Sequence, residues 1–120
     1  MGLDTTHDCW HGPYSSFNKF RFQLANRIGI NLKDYNGYGD ASGKDLASIE
    51  HDLMPLFNHS DCDGELNTEE QARIIIGLND VLESWDMPET LENKWFRDQI
   101  IQFRDGCLDA FTKNEIIEFN

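Results

Sequence analysis

The sequence predicts a small, mainly α-helical single domain of three or four helices, and it allows a minimal two-stranded β ribbon. Apolar residues recur every three or four positions in several segments, and helix start and stop signals bracket these segments. The chain has 120 residues, of which 39% are hydrophobic, so it has the length of one domain and can bury one core. We expect a single domain over residues 1–120, with a polar N-terminal arm at 1–15 and a helical body at 16–120.

The first helix is predicted directly after the arm. Ser15 or Ser16 can cap its start, and Gly29 is typical of its end. Its apolar positions are Phe17, Phe20, Leu24 and Ile28. Residues 30–43 are rich in Gly, Asn and Asp, which indicates a loop.

A second helical pattern covers residues 45–57. Its apolar positions are Leu46, Ile49, Leu53, Leu56 and Phe57. Pro55 limits this helix, because a proline in a helix interior removes a hydrogen bond and clashes with the preceding turn.

The strongest helix signal covers residues 69–85. Thr68 and Gln71 match a capping box, in which each side chain bonds the other residue's backbone. The predicted apolar stripe contains Ala72, Ile75, Leu78, Val81, Leu82 and Trp85. The segment 86–88, which ends in Pro88, breaks the pattern.

The last helix is predicted over residues 89–112. Its stripe contains Phe96, Ile100, Phe103, Cys107 and Phe111, and Gly106 inside it marks close packing or a kink. The following residues 115–119 have the composition of a strand. We expect them to pair with residues 64–66 as the two-stranded ribbon.

Composition restricts the classes of partner. The formal net charge is −12, whereas binding to a phosphate backbone depends on clusters of Lys and Arg, so nucleic acid is an unfavourable partner. A cation or a basic protein surface suits this charge better.

The sequence also bears on the compartment. No segment is apolar over the length that a bilayer requires, and the first residues lack the pattern of a secretory signal. Three cysteines, Cys9, Cys62 and Cys107, are an odd number, which favours reduced thiols in a cytoplasmic protein.

Residues 57–70 carry the clearest chemical pattern. When the segment is aligned on Gly64, Asp61 and Asp63 take the third and fifth positions of a calcium-binding loop, and Glu70 takes the twelfth. Asn67 takes the ninth position and Leu66 the apolar eighth.

This segment resembles an EF-hand loop, which binds calcium through oxygen ligands around a sharp glycine turn. The resemblance covers residues 58–70 and implies a metal site formed by Asp61, Asp63, Asn67 and Glu70, completed by Asn58 or His59. It departs from the family at the first position, where His59 stands instead of an acid, and imidazole is a poor ligand for a hard cation. If Asn58 is the first ligand, the loop is one residue too long. An acidic turn that caps the helix and binds nothing is the alternative.

A second group of candidate ligands lies in the arm. His7, Cys9 and His11 alternate in sequence, which would place them on one side of an extended segment. With His59 as a fourth ligand they would suit zinc, either structural or hydrolytic, although the usual zinc spacings are not matched. The alternative is a polar arm whose side chains bond to the body. No residue is assigned a catalytic role.

Residues 2–21 and the segment 59–64 are similar to small proteins of phages and bacteria that have no assigned activity. This similarity implies the cytoplasm of a bacterial or phage-infected cell.

The sequence therefore predicts a metal-binding or protein-interaction module with an EF-hand-like loop. The alternatives are a zinc-type protein and an acidic protein that binds a host factor without metal.

Overall fold

α-Helices dominate the fold, as the sequence predicts. The computed structural model describes residues 2–36, 38 and 43–120. Part of the predicted loop over 30–43, namely residue 37 and residues 39–42, lies outside them. The described residues form four α-helices and two antiparallel two-stranded ribbons: β1 Gly2–Asp4, β2 His11–Pro13, α1 Tyr14–Arg27, α2 Met54–Phe57, β3 Glu65–Leu66, α3 Thr68–Glu83, α4 Leu91–Lys113 and β4 Ile117–Glu118.

Helix α1 begins earlier than predicted and ends as predicted. Pro13 is the N-cap residue, so the expected caps Ser15 and Ser16 lie inside the first turn instead. The fixed φ of proline suits the residue that leads into a helix. At the other end, Gly29 has a φ of +81°, and its N–H donates to the carbonyl of Asn26 at 3.2 Å.

The predicted helix over 45–57 is wrong as a continuous element. A short 3₁₀ turn covers Leu46–Ser48, and α2 is only four residues long. Pro55 lies in the first turn of α2, where its missing N–H has no helical partner to lose. The proline therefore begins this helix and does not limit its end.

Helix α3 matches its prediction in length, but its buried face is rotated by about one residue. Ala72 and Ile75, expected in the core, are only half-buried, whereas Gln71 and Ile74 are fully buried. Gln71 donates through Nε2 to the carbonyl of Leu66 at 3.0 Å and to that of Glu115 at 2.8 Å. A polar residue occupies the core here because two backbone carbonyls need a donor.

Helix α4 buries most of its predicted stripe. Its fully buried positions include Phe96, Ile100, Phe103 and Cys107, but Phe111 is 45% exposed and does not belong to the core. Arg104 contacts the Asn79 side chain at 3.3 Å, so α3 and α4 lie side by side. Gly106 marks close packing, because a Cβ atom there would lie 2.8 Å from the carbonyl oxygen of His7.

The two-stranded ribbon that was predicted between residues 64–66 and residues 115–119 is confirmed. Strands β3 and β4 are antiparallel, with Glu65 opposite Glu118 and Leu66 opposite Ile117. The N–H of Phe119 extends the pairing with a hydrogen bond of 2.9 Å to the carbonyl of Gly64.

The N-terminal arm contains a second ribbon that the sequence pattern does not reveal. Strands β1 and β2 pair with Leu3 opposite Gly12, and both Leu3 and Trp10 are buried. Asp4 and Asn120 exchange two backbone hydrogen bonds of 3.1 and 2.9 Å, so the two ribbons meet. The arm is thus built into the core. Within the described residues, no helix combines the length and the hydropathy that crossing a membrane requires.

Candidate functional site

The EF-hand-like segment starts where α2 ends. Phe57 is the last residue of α2 and is buried, and Asn58 is the C-cap. The segment from Asn58 to Glu70 therefore contains the extra residue that the sequence indicated. Asn58 is exposed and follows the helix directly, as the first ligand of an EF-hand loop does. The His59 ring instead contacts two backbone carbonyls of the loop.

Gly64 forms the sharp turn at the sixth position. Its φ of +97° lies in the region that favours glycine. A Cβ atom there would lie 3.2 Å from Cε1 of His59 and 3.3 Å from Nε2. The glycine therefore serves both the turn and the close approach of the imidazole ring.

The His59 ring closes the loop from inside. Its Nδ1 lies 2.7 Å from the carbonyl oxygen of Ser60, and its Nε2 lies 3.1 Å from that of Glu65. A carbonyl oxygen only accepts, so a ring nitrogen that carries a proton donates to the carbonyl that it faces. The ring also packs on Phe119, with centroids 4.0 Å apart. The Glu65 carbonyl, which is the seventh-position ligand in an EF-hand, is thus bonded to a side chain of the loop itself.

The Arg21 side chain of α1 bonds the backbone at the start of the loop. It is only 3% exposed, and its guanidinium donates to the carbonyl of His59 at 2.6 Å and, at 3.4 Å, to that of Leu56. The guanidinium carbon lies 4.5 Å from the Phe17 ring centroid and 4.9 Å from that of Tyr38. Burial lowers the pKa of Arg21, and nearby charge from Asp61 opposes this effect. Burial raises the pKa of Tyr38 to about 12, so its hydroxyl remains a donor.

The two loop aspartates differ in their surroundings. Asp61 is half-buried and accepts a hydrogen bond from Asn18 at 3.2 Å. Asp63 is exposed, and its nearest polar contact is the Cys62 thiol at 4.0 Å. One carboxylate is therefore held against α1, and the other faces solvent.

Asn67 and Glu70 form the capping box of α3. The Asn67 side chain accepts from the Glu70 N–H at 2.9 Å, and Glu70 Oε1 accepts from the Asn67 N–H at 2.9 Å. The predicted capping box at Thr68 and Gln71 is therefore wrong by one residue, because Gln71 is used in the core. The Glu70 carboxylate faces the backbone of the cap.

The loop offers the oxygen donors that calcium prefers, namely carboxylates, an amide and a carbonyl. However, the described part of the chain contains no group of three His, Cys, Asp or Glu side chains placed to hold a metal ion. Two of these oxygen ligands already make other contacts. The Glu65 carbonyl lies against the His59 ring, and the Glu70 carboxylate caps α3. The donor chemistry fits a hard cation, and binding requires these two contacts to open.

The alternative ligands from the arm are distributed over three places. His7 contacts Asp109 at 2.8 Å, and its other ring nitrogen lies 3.5 Å from Glu115. Cys9 is buried against α4, and His59 lies in the loop. The structure therefore does not bring His7, Cys9, His11 and His59 together.

His11 lies on the surface between two carboxylates. Its ring nitrogens contact Asp4 and Asp8, each at 2.9 Å. These hydrogen bonds raise the pKa of His11, with the bond to Asp4 the larger cause. His7 thus bonds to the helical body through Asp109, whereas His11 bonds to two carboxylates of the arm itself.

Comparison of the chain with protein-family models, curated proteins and solved structures gives no match.

Sequence reasoning did not identify Arg21 or Phe119 as parts of the loop's surroundings. A signal for Arg21 exists, since it shares the buried face of α1 with Phe17 and Leu24 at helical spacing. For Phe119 no local signal exists, because its contact with His59 depends on the pairing of β3 with β4.

Proposed function

We propose that this protein is a non-enzymatic, cation-binding interaction module, and that residues 58–70 form its calcium loop. The observation that carries the proposal is the backbone of the loop. Gly64 turns with a positive φ, β3 follows at once, and α3 begins at its Asn67 cap. This is the order of turn, short strand and exiting helix that an EF-hand loop requires.

The ribbon supports this proposal further. The single loop obtains its strand partner from β4, which holds Leu66 in the core at the eighth position. Asp61, Asp63 and Glu70 supply side-chain oxygens, and Glu65 supplies its carbonyl. Asn58 and Asn67 complete the set of oxygen ligands.

Binding is expected to be weak because His59 competes for the loop. Calcium has to displace the imidazole from the Glu65 carbonyl and the Glu70 carboxylate from the cap. We expect a Kd of roughly 0.1–1 mM, the range of weak calcium modules.

Calorimetric titration of the metal-free protein with calcium tests the proposal. Asp63→Ala should abolish the binding heat, whereas Asp80→Ala, which removes an exposed acid of α3, should leave it unchanged. His59→Asp should lower the Kd at least tenfold, because it supplies an acid and frees the Glu65 carbonyl. Absence of calcium binding by both the wild type and His59→Asp would remove the proposal. A parallel zinc titration tests the arm, where binding lost in His11→Ala would favour the zinc-type alternative.

A second candidate is an interaction protein that binds a host factor without metal. It is favoured by exposed apolar residues on the paired helices: Ile76 is 52%, Leu108 47% and Phe111 45% exposed. Ile76 and Leu108 each lie one turn from the contact between Asn79 and Arg104, so they share one side of the α3–α4 pair. Capture of one bacterial protein by the wild type in the presence of a chelator, lost in Phe111→Ser, would support this candidate.

A further inference from the structure

The N-terminal arm and α4 meet at two buried thiols. Cys9 and Cys107 are both 0% exposed and free. The Cys9 side chain packs directly on the backbone of Gly106, the residue before Cys107, because glycine leaves room for it. The neighbouring Cys9 thiol and burial raise the pKa of Cys107 well above its ordinary value. Neither thiol belongs to the loop.

We propose that Cys9 and Cys107 form a redox-responsive pair, which low-molecular-weight disulfides of the glutathione class convert into a disulfide that fastens the arm to α4. This inference is independent of the cation proposal, because Cys9 and Cys107 both lie outside the loop of residues 58–70.

Cys9 is fully buried, so its oxidation requires the stretch before it to open. In that stretch His7 and Asp8 have φ values of +61° and +56°, in the left-handed region that few residues other than glycine adopt, with Asp and His among those few. The polar contacts that would have to open join this stretch to α4 and to the C-terminal tail. They are His7 with Asp109 at 2.8 Å and with Glu115 at 3.5 Å, Gln102 with the Asp8 carbonyl at 3.0 Å, and the Thr6 hydroxyl with the Glu118 N–H at 2.8 Å. Opening of these contacts would expose Cys9.

The chemistry then balances in two exchange steps. The Cys9 thiolate attacks oxidised glutathione, its proton passing to solvent, and one glutathione thiolate leaves. When the arm closes, Cys107 loses its proton and attacks the Cys9 sulfur, which expels the second glutathione thiolate. The two protein thiols are oxidised, and one glutathione disulfide is reduced to two thiols. Closure brings Cys107 back beside Cys9, so the second exchange should outrun attack on the mixed disulfide by a free glutathione thiolate.

Cys62 provides an internal contrast. It is exposed in the loop, whereas the other two cysteines are buried. It should form only a mixed disulfide with glutathione. The test therefore uses the Cys62→Ser protein, in which the buried pair holds the only thiols.

The experiment incubates folded Cys62→Ser protein with oxidised glutathione, blocks free thiols by alkylation and measures the mass. We expect the loss of two hydrogens, no retained glutathione, a cross-linked Cys9–Cys107 peptide and a higher thermal midpoint that a reductant reverses. The Cys62→Ser, Cys107→Ala protein should instead retain one glutathione on Cys9. Thiols that stay reduced in the folded protein but oxidise in denaturant would overturn the proposal, as would a stable mixed disulfide on Cys62→Ser.

Discussion

The carbonyl oxygen of His59 lies 2.6 Å from a guanidinium nitrogen of Arg21. A buried cationic side chain of α1 therefore holds the backbone at the start of the loop, while the His59 ring holds the Glu65 carbonyl. Together these contacts hold the loop from two sides. The shape of the loop thus depends on a helix that lies far before it in sequence.

Arg21→Lys should destabilise the protein by about 2–3 kcal/mol. Lysine has no planar fork, so it loses the stacking between Phe17 and Tyr38 and at least one bond to a backbone carbonyl. Urea unfolding measures the loss. Arg97→Lys, an exchange on the exposed surface of α4, serves as the control and should stay within about 0.5 kcal/mol. Equal effects of the two exchanges would contradict the supporting role of Arg21.

Gly106→Ala should cost more stability than Gly77→Ala. At Gly106 the new Cβ would meet backbone, the His7 carbonyl at 2.8 Å and Cys9 Cα at 3.0 Å. At Gly77 it would meet Cγ of the Leu53 side chain at 2.6 Å, and a side chain repacks at a lower cost than backbone. We expect losses of about 3 and about 1 kcal/mol, including the helical preference for alanine. Chemical denaturation of both variants checks the order, and a reversed order would show that the arm yields more easily than Leu53.

Gln71→Leu should loosen the β3–β4 ribbon. The substitution removes the donor shared by the carbonyls of Leu66 and Glu115, at a cost of about 1–3 kcal/mol for buried acceptors without partners. Hydrogen exchange at the ribbon amides should accelerate more than exchange in the middle of α4. Uniform acceleration across both elements would indicate global destabilisation instead.

His11 should make stability depend on pH. Because contacts with Asp4 and Asp8 raise its pKa in the folded protein, this contribution is fully present below the unfolded value of 6.5. It is lost as the pH rises through the raised value. Comparing thermal midpoints of the wild type and His11→Asn at acidic and alkaline pH measures it, and the difference should be larger under acidic conditions. An NMR titration of the Asp4→Asn, Asp8→Asn protein should show a lower pKa for His11.

Local sequence patterns predicted most of the helices because helical spacing and stop signals act within a few residues. The failures have tertiary causes. Gln71 is buried because two backbone carbonyls need its amide, and Phe111 is exposed because the buried stripe of α4 continues at Ala110 instead. The ribbon of the arm was not predicted, since three-residue strands carry almost no pattern of their own.

The candidate loop also combines features that local sequence predicts with features that depend on tertiary contacts. Gly64, Leu66 and the start of α3 follow from the motif, because turn, burial and cap are local properties. The position of the His59 ring does not follow from it. That position depends on Phe119 and on the carbonyl of Glu65, which only the folded chain brings near.

The pairing of β3 with β4 has a consequence for biosynthesis. A ribosome makes the loop and α3 long before it makes residues 117–119, so the emerging loop has neither its strand partner nor the Phe119 ring. Its backbone amides and Leu66 stay exposed until the final strand emerges. Chains stalled within α4 should therefore be the form most open to chaperones and proteases, and release of the last strand should end that exposure.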